Sequence, residues 1–223
     1  MLAVIPIGRG RPATLAYTLR SLETHAGITE VWTVGERPSS VTPDRHIDSP
    51  NDQKASYLNV EQHIRAVLPL LDGPFVWTAD DIFTLTPWTP GVYVRRDTLA
   101  EHLRAYSGKG HYTRAVRGSI EIVRARGYDP ETVPTGAGHR PWLVQPSRVA
   151  DAVGAVVDHG EGAWPMVYVA GLDGVIPAGN SKVQGHNMIQ KNADVASTDP
   201  HSWRRNAGRV IRETFRTPSR WET

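Results

Sequence analysis

The first eighty residues switch between two hydrophobic periods in a fixed order. Leu2–Ile7 is a short unbroken apolar run closed by Gly8-Arg9-Gly10-Arg11, and Pro12 opens a stretch in which Leu15, Leu19 and Leu22 recur at helical spacing. After Gly27, residues 31–34 read as a second strand, and 38–51 as a turn-rich connection. Helical spacing returns over 54–71, with Val60, Ile64, Val67 and Leu71 on one face, until Gly73-Pro74 breaks it. Residues 75–78 (Phe-Val-Trp-Thr) then form a buried strand that runs into Asp80-Asp81. Strands alternating with helices predict an α/β fold with a mixed, mostly parallel sheet covered by helices.

The second half is less regular. Helices are expected over 98–106, 113–126 and 147–157, a loop over 130–146, a strand over 166–169 and a terminal helix over 200–216. A length of 223 residues fits one compact domain, read as an N-terminal half, 1–94, and a C-terminal half, 95–223. Cysteine is absent, which excludes disulfides, thiolate metal sites and cysteine nucleophiles. No apolar run approaches the ~20 residues of a membrane span, and no charged-then-apolar leader opens the chain. The expectation is a soluble protein of the cytoplasm with no membrane partner.

The formal net charge of +2 is unevenly spread. Residues 1–94 carry seven Lys/Arg against ten Asp/Glu, whereas 95–126 carry eight against three. Residues 127–200 carry four against eight, and 201–223 six against two. Two basic segments therefore flank acidic ones. Only Lys54, Lys109, Lys182 and Lys191 are lysines, and arginine forks suit bidentate phosphate contact.

Two places invite chemistry. Gly8-Arg9-Gly10-Arg11 follows a strand and opens a helix, with Glu36 beyond the second strand, about where a dinucleotide site keeps its ribose-binding acid. Nothing downstream resembles a hydride-transfer site, so a nucleotide diphosphate is the better ligand for that turn. The second place is Asp80-Asp81, at the C-terminal end of a strand expected to be central. Two buried acids repel each other and need a cation, and parallel sheets bind ligands beyond their carboxyl ends. A divalent ion, Mg²⁺ or Mn²⁺, bridging carboxylates to a diphosphate meets both demands.

A nucleotide-binding turn followed by a hydrophobic strand that ends in an acidic pair resembles a GT-A type glycosyltransferase, where the pair plays the part of the Asp-x-Asp motif. Gly110-His111-Tyr112-Thr113-Arg114-Ala115, Gly127-Tyr128, His139-Arg140-Pro141 and Asn180-Ser181-Lys182-Val183 follow in the order found in small phage-encoded glycosyltransferase-like proteins. The resemblance covers most of the chain. It departs in having adjacent rather than spaced acids, and Asn180 where an acid is expected. It implies a single Rossmann-like, nucleotide-diphospho-sugar transferase domain whose first half binds the donor, a UDP-sugar such as UDP-glucose, and whose second half binds the acceptor.

Carried over by position, the resemblance implies that Ile7, Gly8, Arg9, Arg11 and Glu36 line the nucleoside pocket and that Lys54 and Asn59 face the donor. Asp80 and Asp81 would hold metal and phosphates, with His186 as a further ligand, and Lys182 is an alternative neutraliser of the leaving diphosphate. For the acceptor's base, Asp173 is the first choice, Glu161 the second, and His139 a third.

In a helix over 200–216, Arg205, Arg209, Arg212 and Arg216 share one face, bracketed by Trp203 and Trp221. Arg114 and Arg117 belong to the other basic segment. Such stripes suit a phosphate backbone, with aromatics for stacking. The expected acceptor is a 5-hydroxymethylated pyrimidine in phage DNA. The alternatives are the same chemistry on a virion protein or glycan, and a noncatalytic DNA-binding protein of the same fold.

Overall fold

The computed structural model describes residues 1–8, 12–53, 56–106, 108, 110–136 and 139–222. Strand β1 (Leu2–Ile7) leads through helix α1 (Pro12–His25) to β2 (Glu30–Gly35) and β3 (Arg45–Asp48). Helix α2 (Ser56–Val67) then returns the chain to β4 (Phe75–Trp77). These four strands are parallel, in the spatial order β3-β2-β1-β4. The alternation read from the sequence thus yields a mixed α/β fold with a mainly parallel five-stranded sheet, compatible with a Rossmann-like domain. β3 was hidden in the turn-rich stretch because Arg45-His46-Ile47-Asp48 is an edge strand with no apolar run.

The unbroken apolar run of β1 follows from burial on both faces. Ala3, Ile5 and Ile7 pack with Leu15, Leu19 and Leu22 of α1, whereas Val4 packs with Ile64 and Val67 of α2. β4 divides in the same way, Val76 toward α1 and Phe75 and Trp77 toward the other side.

From β4 the chain passes through β5 (Ile82–Thr84), β6 (Tyr93–Arg95), α3 (Leu99–Ala105) and α4 (His111–Ala125) to β7 (Trp142–Val144). β7 joins the first sheet antiparallel to β4, with Trp77 opposite Trp142. Helices α5 (Pro146–His159) and α6 (Trp164–Tyr168) complete the larger core together with α4. The strand expected over 166–169 is therefore a helix. Its residues are buried all round, so no periodicity separated the two states; Pro165 in the first turn favours the helix.

β8 (Ile176–Ala178) pairs with β6. β9 (Lys182–Val183) and β10 (Val195–Thr198) form a three-stranded sheet with β5. The expected terminal helix is two helices, α7 (Pro200–Trp203) and α8 (Asn206–Thr214), broken at Arg204-Arg205, where Arg205 has φ −117° and ψ −149°. Gly208 explains the break: a Cβ there would lie 1.7 Å from the Trp203 carbonyl oxygen, so the two helices meet by close backbone approach. Among the described residues, no helix is long and apolar enough to cross a membrane.

Candidate active site

The strand order reverses between β1 and β4, and in open parallel sheets that reversal opens a crevice beyond the carboxyl ends. Ile7 and Gly8 end β1 on one side of it, and the 78–81 turn ends β4 on the other. Arg9 and Arg11, like Lys54, lie outside the described residues.

Beyond β1–β3 lies a buried polar chain. Asn51 Nδ2 donates to the Ile7 carbonyl at 3.0 Å, leaving its Oδ1 to face His63 Nε2 at 3.0 Å. That oxygen accepts only, so Nε2 carries the proton, and Nδ1 accepts from the Ser49 hydroxyl at 3.0 Å. Burial lowers the His63 pKa, in keeping with this neutral tautomer. Glu36 is exposed at the crevice edge. Asn59 is occupied locally: its Oδ1 accepts from Gln53 N–H and its Nδ2 donates to the Gln53 carbonyl, closing the turn before α2.

Asp80 and Asp81 are both buried, at 5% and 6% exposure. The Thr18 hydroxyl of α1 donates to the Asp80 carbonyl. The Lys182 ammonium lies 3.0 Å from Asp81 Oδ2, and both side chains of that ion pair are largely buried. Lys182 also donates to Ser197 Oγ at 3.3 Å and to the Thr198 carbonyl at 3.1 Å, so all three of its protons are engaged. Pairing of Ser197 with Lys182 across β10 and β9 fixes this arrangement. Ser197 also donates to Asp81 Oδ2.

His139 reaches the same place through topology. It precedes Trp142 by three residues, and Trp142 sits opposite Trp77 at the end of β4. One face of His139 is open to solvent, yet the surrounding protein lowers its pKa to about 4. Desolvation is the main cause and the Lys182 charge adds to it, with Asp81 acting in the opposite direction. Arg95 also acts on this imidazole. Its backbone N–H bonds the Thr135 carbonyl and its register partner is Ala178, so the segments that carry His139 and Lys182 both start beside it.

Arg95 belongs to a second cluster that the sequence reading did not single out. Arg95 Nε donates to Asp97 Oδ1 at 2.6 Å, and His102 Nδ1 donates to Asp97 Oδ2 at 3.0 Å. His102 Nε2 therefore accepts the Tyr112 hydroxyl, at 2.8 Å. Burial lowers the His102 pKa and raises that of Tyr112 to about 12. The one local signal was the capping box of Thr98 and Glu101, which sets the start of α3 and hence the place of His102 on it.

The other expected site residues lie elsewhere. His186 is exposed, with Nδ1 3.1 Å from an Arg205 guanidinium nitrogen and its ring against His201. Glu161 is paired with Arg114 at 3.1 Å. Asp173 is exposed in the turn before β8. Among the described residues, no group of three or more His, Asp or Glu side chains could hold a metal ion. With Asp81 carrying the Lys182 ammonium and His186 beside Arg205, the side chains present do not fit a carboxylate–histidine metal centre.

The basic stripe is also rearranged. Arg205 and Arg216 fall outside α8, Arg209 pairs with Glu213, and Arg212 lies over the Trp203 ring with a guanidinium proton on its carbonyl. Trp203 is stacked on Phe83, and Trp221 is 3% exposed with its indole N–H on Asp44. Neither tryptophan is presented for base stacking. Arg117 remains exposed.

No protein-family model matches the chain, and no curated protein matches its sequence.

Proposed function

We propose that the crevice binds a nucleotide-diphospho-sugar and that the chain is a glycosyltransferase of the GT-A kind. One observation carries this reading. The strand-order reversal sets the end of β1, at Ile7, beside the strand that leads into buried Asp80-Asp81, and β7 begins three residues after His139, whose pKa is lowered by desolvation and by the Lys182 charge. A donor spanning the crevice has its nucleoside over the ends of β1–β3, between Ile7, Gly8 and Glu36. Its diphosphate lies beside Lys182.

His139 is then the base. The acceptor oxygen forms its bond to the anomeric carbon as the bond from that carbon to the diphosphate oxygen breaks. The acceptor's proton passes to the neutral imidazole, and the nucleotide diphosphate leaves with the electron pair. Its lowered pKa keeps the imidazole unprotonated at neutral pH, with a correspondingly smaller driving force for taking the proton. Asp173 and Glu161, the earlier choices, have no comparable link to the acidic pair.

For the acceptor we propose a hydroxymethylated pyrimidine in DNA. The support is charge: Arg117, Arg204, Arg205, Arg209 and Arg216 are all exposed. The test is mass spectrometry of hydroxymethylated and unmodified DNA after incubation with mixed nucleotide sugars. A hexose mass increment on the hydroxymethylated DNA alone is expected. An increment on a protein or glycan hydroxyl in place of DNA moves the acceptor, and none on any hydroxyl, with no release of nucleotide diphosphate, overturns the transferase reading.

A further inference from the structure

We infer that Lys182 is the resident counter-ion of the acidic pair, so that the crevice takes a nucleotide diphosphate without a divalent metal; this rests on the donor-site reading above. Adjacent buried carboxylates need positive charge, and a metal ion is one way to provide it. Here the charge is part of the chain. The Lys182 ammonium stands 3.0 Å from Asp81 Oδ2, and the side chains of the pair are 16% and 8% exposed. It is held there by two further acceptors, Ser197 Oγ and the Thr198 carbonyl, so it is fixed in place rather than swinging from solvent.

The placement is enforced from both sides. β9 is only two residues long, yet it is locked in register with β10, Lys182 opposite Ser197 and Val183 opposite Thr198. The Thr198 N–H in turn bonds the Asp81 carbonyl at 3.1 Å. Lysine and aspartate are thus tied through the same strand at backbone and side-chain level. A divalent ion on Asp81 would have to displace the ammonium or sit beside it, and two cations there repel each other. Lys182 contributes its field to a bound phosphate, since its three protons are already engaged.

The logic also runs backwards. Removing the ammonium while keeping both carboxylates takes a positive charge from 3.0 Å beside Asp81 and leaves hard oxygen donors, the type that Mn²⁺ prefers. Lys182→Met is therefore expected to gain a Mn²⁺ site.

The test uses the full chain and two probes, Mn²⁺ alone and UDP. Mn²⁺ is titrated by electron paramagnetic resonance, and UDP by calorimetry in EDTA and in Mn²⁺. The native protein and Lys182→Arg should leave Mn²⁺ free, and UDP should bind the native protein with affinities within about twofold in the two conditions. Lys182→Met should bind one Mn²⁺, lose about tenfold or more in UDP affinity in EDTA, and recover it with Mn²⁺, as expected when one main charge is exchanged for another. Stoichiometric Mn²⁺ on the native protein, abolished by Asp80→Asn with Asp81→Asn, overturns the inference, and this arm needs no lysine variant to fold. Should UDP bind in neither condition, the nucleotide reading of the crevice falls. The lysine's part as counter-ion is then decided by the Mn²⁺ arm alone.

Discussion

Gly35 and His63 approach so closely that a Cβ on the glycine would sit 3.0 Å from His63 Nε2 and 2.5 Å from the Ile7 carbonyl oxygen. Gly35 also has φ +119°, a conformation that other residues rarely adopt. The end of β2 is therefore glycine for two reasons, and the imidazole that links Ser49 to Asn51 depends on the room it leaves. Gly35→Ala should cost about 2 kcal/mol or more through strain and backbone overlap, measured by urea unfolding. If ligand binding is lost with the fold intact, the Ser49–His63–Asn51 chain is what shapes the β1–β3 end of the crevice. A variant as stable as the native chain would show that the turn relaxes freely.

Stability should fall as the solution is acidified from pH 7.5 to 5.5. His63 and His102 are buried and both have folded pKa values lowered by desolvation, with Asp97 partly offsetting the shift at His102. A lowered histidine pKa means the unfolded chain takes up protons first, so the stabilisation is full above the unfolded value of about 6.5 and is lost as pH falls toward the folded one. Urea midpoints across that range should drop for the native chain, and less steeply for His63→Gln and His102→Gln. A flat native profile would contradict burial of neutral imidazoles.

The Asp81–Lys182 pair predicts a pronounced asymmetry between single and double replacements. Breaking a buried pair on one side strands the other charge and costs about 3–5 kcal/mol, whereas replacing both partners is far milder. Asp81→Asn and Lys182→Met should each lower the melting temperature more than the double variant does. Additive effects in a double-mutant cycle would mean that the two groups do not interact.

Residues 219–222 should matter to the stability of the N-terminal half. Arg20 of α1 is bidentate to Glu222, and Trp221 is buried with its N–H on Asp44 and its carbonyl on Thr42 N–H. Trp221→Ala should cost about 3–5 kcal/mol, as large aromatic truncations in cores do. Thermal or urea unfolding that is unaltered would place Trp221 outside the cooperative unit.

If the arginines meet DNA, each exposed one that contacts phosphate displaces about one counter-ion. Replacing Arg205, Arg209 and Arg216 with Gln should flatten the log–log salt dependence of DNA binding by roughly two to three units. An unchanged slope would remove DNA as the acceptor. Arg212 is expected to contribute less, since it lies over Trp203.

β1, β2 and β4 were legible because they are largely buried and the helices between them are not, so period and apolar run separate them. Asp80-Asp81 stood out for the same reason: two adjacent charges lie between the apolar stretches Phe75-Val76-Trp77 and Ile82-Phe83. The remaining strands are two to four residues long, too short for a period to register. The Lys182–Asp81 contact spans 101 positions, and no local rule reports it. His186 looked like a ligand because a lone histidine after glycine carries no mark of where it points; in the fold it faces Arg205. The stripe on 200–216 assumed one helix, and Gly208, which lets the Trp203 carbonyl pass, was the residue to weigh against it.

Because Trp221 and Glu222 dock on α1, Asp44 and Thr42, this early half is finished by residues made much later. During synthesis the apolar side of α1 and the 41–44 turn wait, incompletely covered, while nearly 180 further residues are added after Asp44. Local contacts of β1, α1 and β2 can form early, but the last seam closes only when residues 219–222 arrive. A nascent chain of this kind is exposed to sticking and to chaperones throughout that interval. It also ties the shape of the crevice to residues 219–222, so a cut near residue 216 is expected to disturb it without touching a residue that lines it.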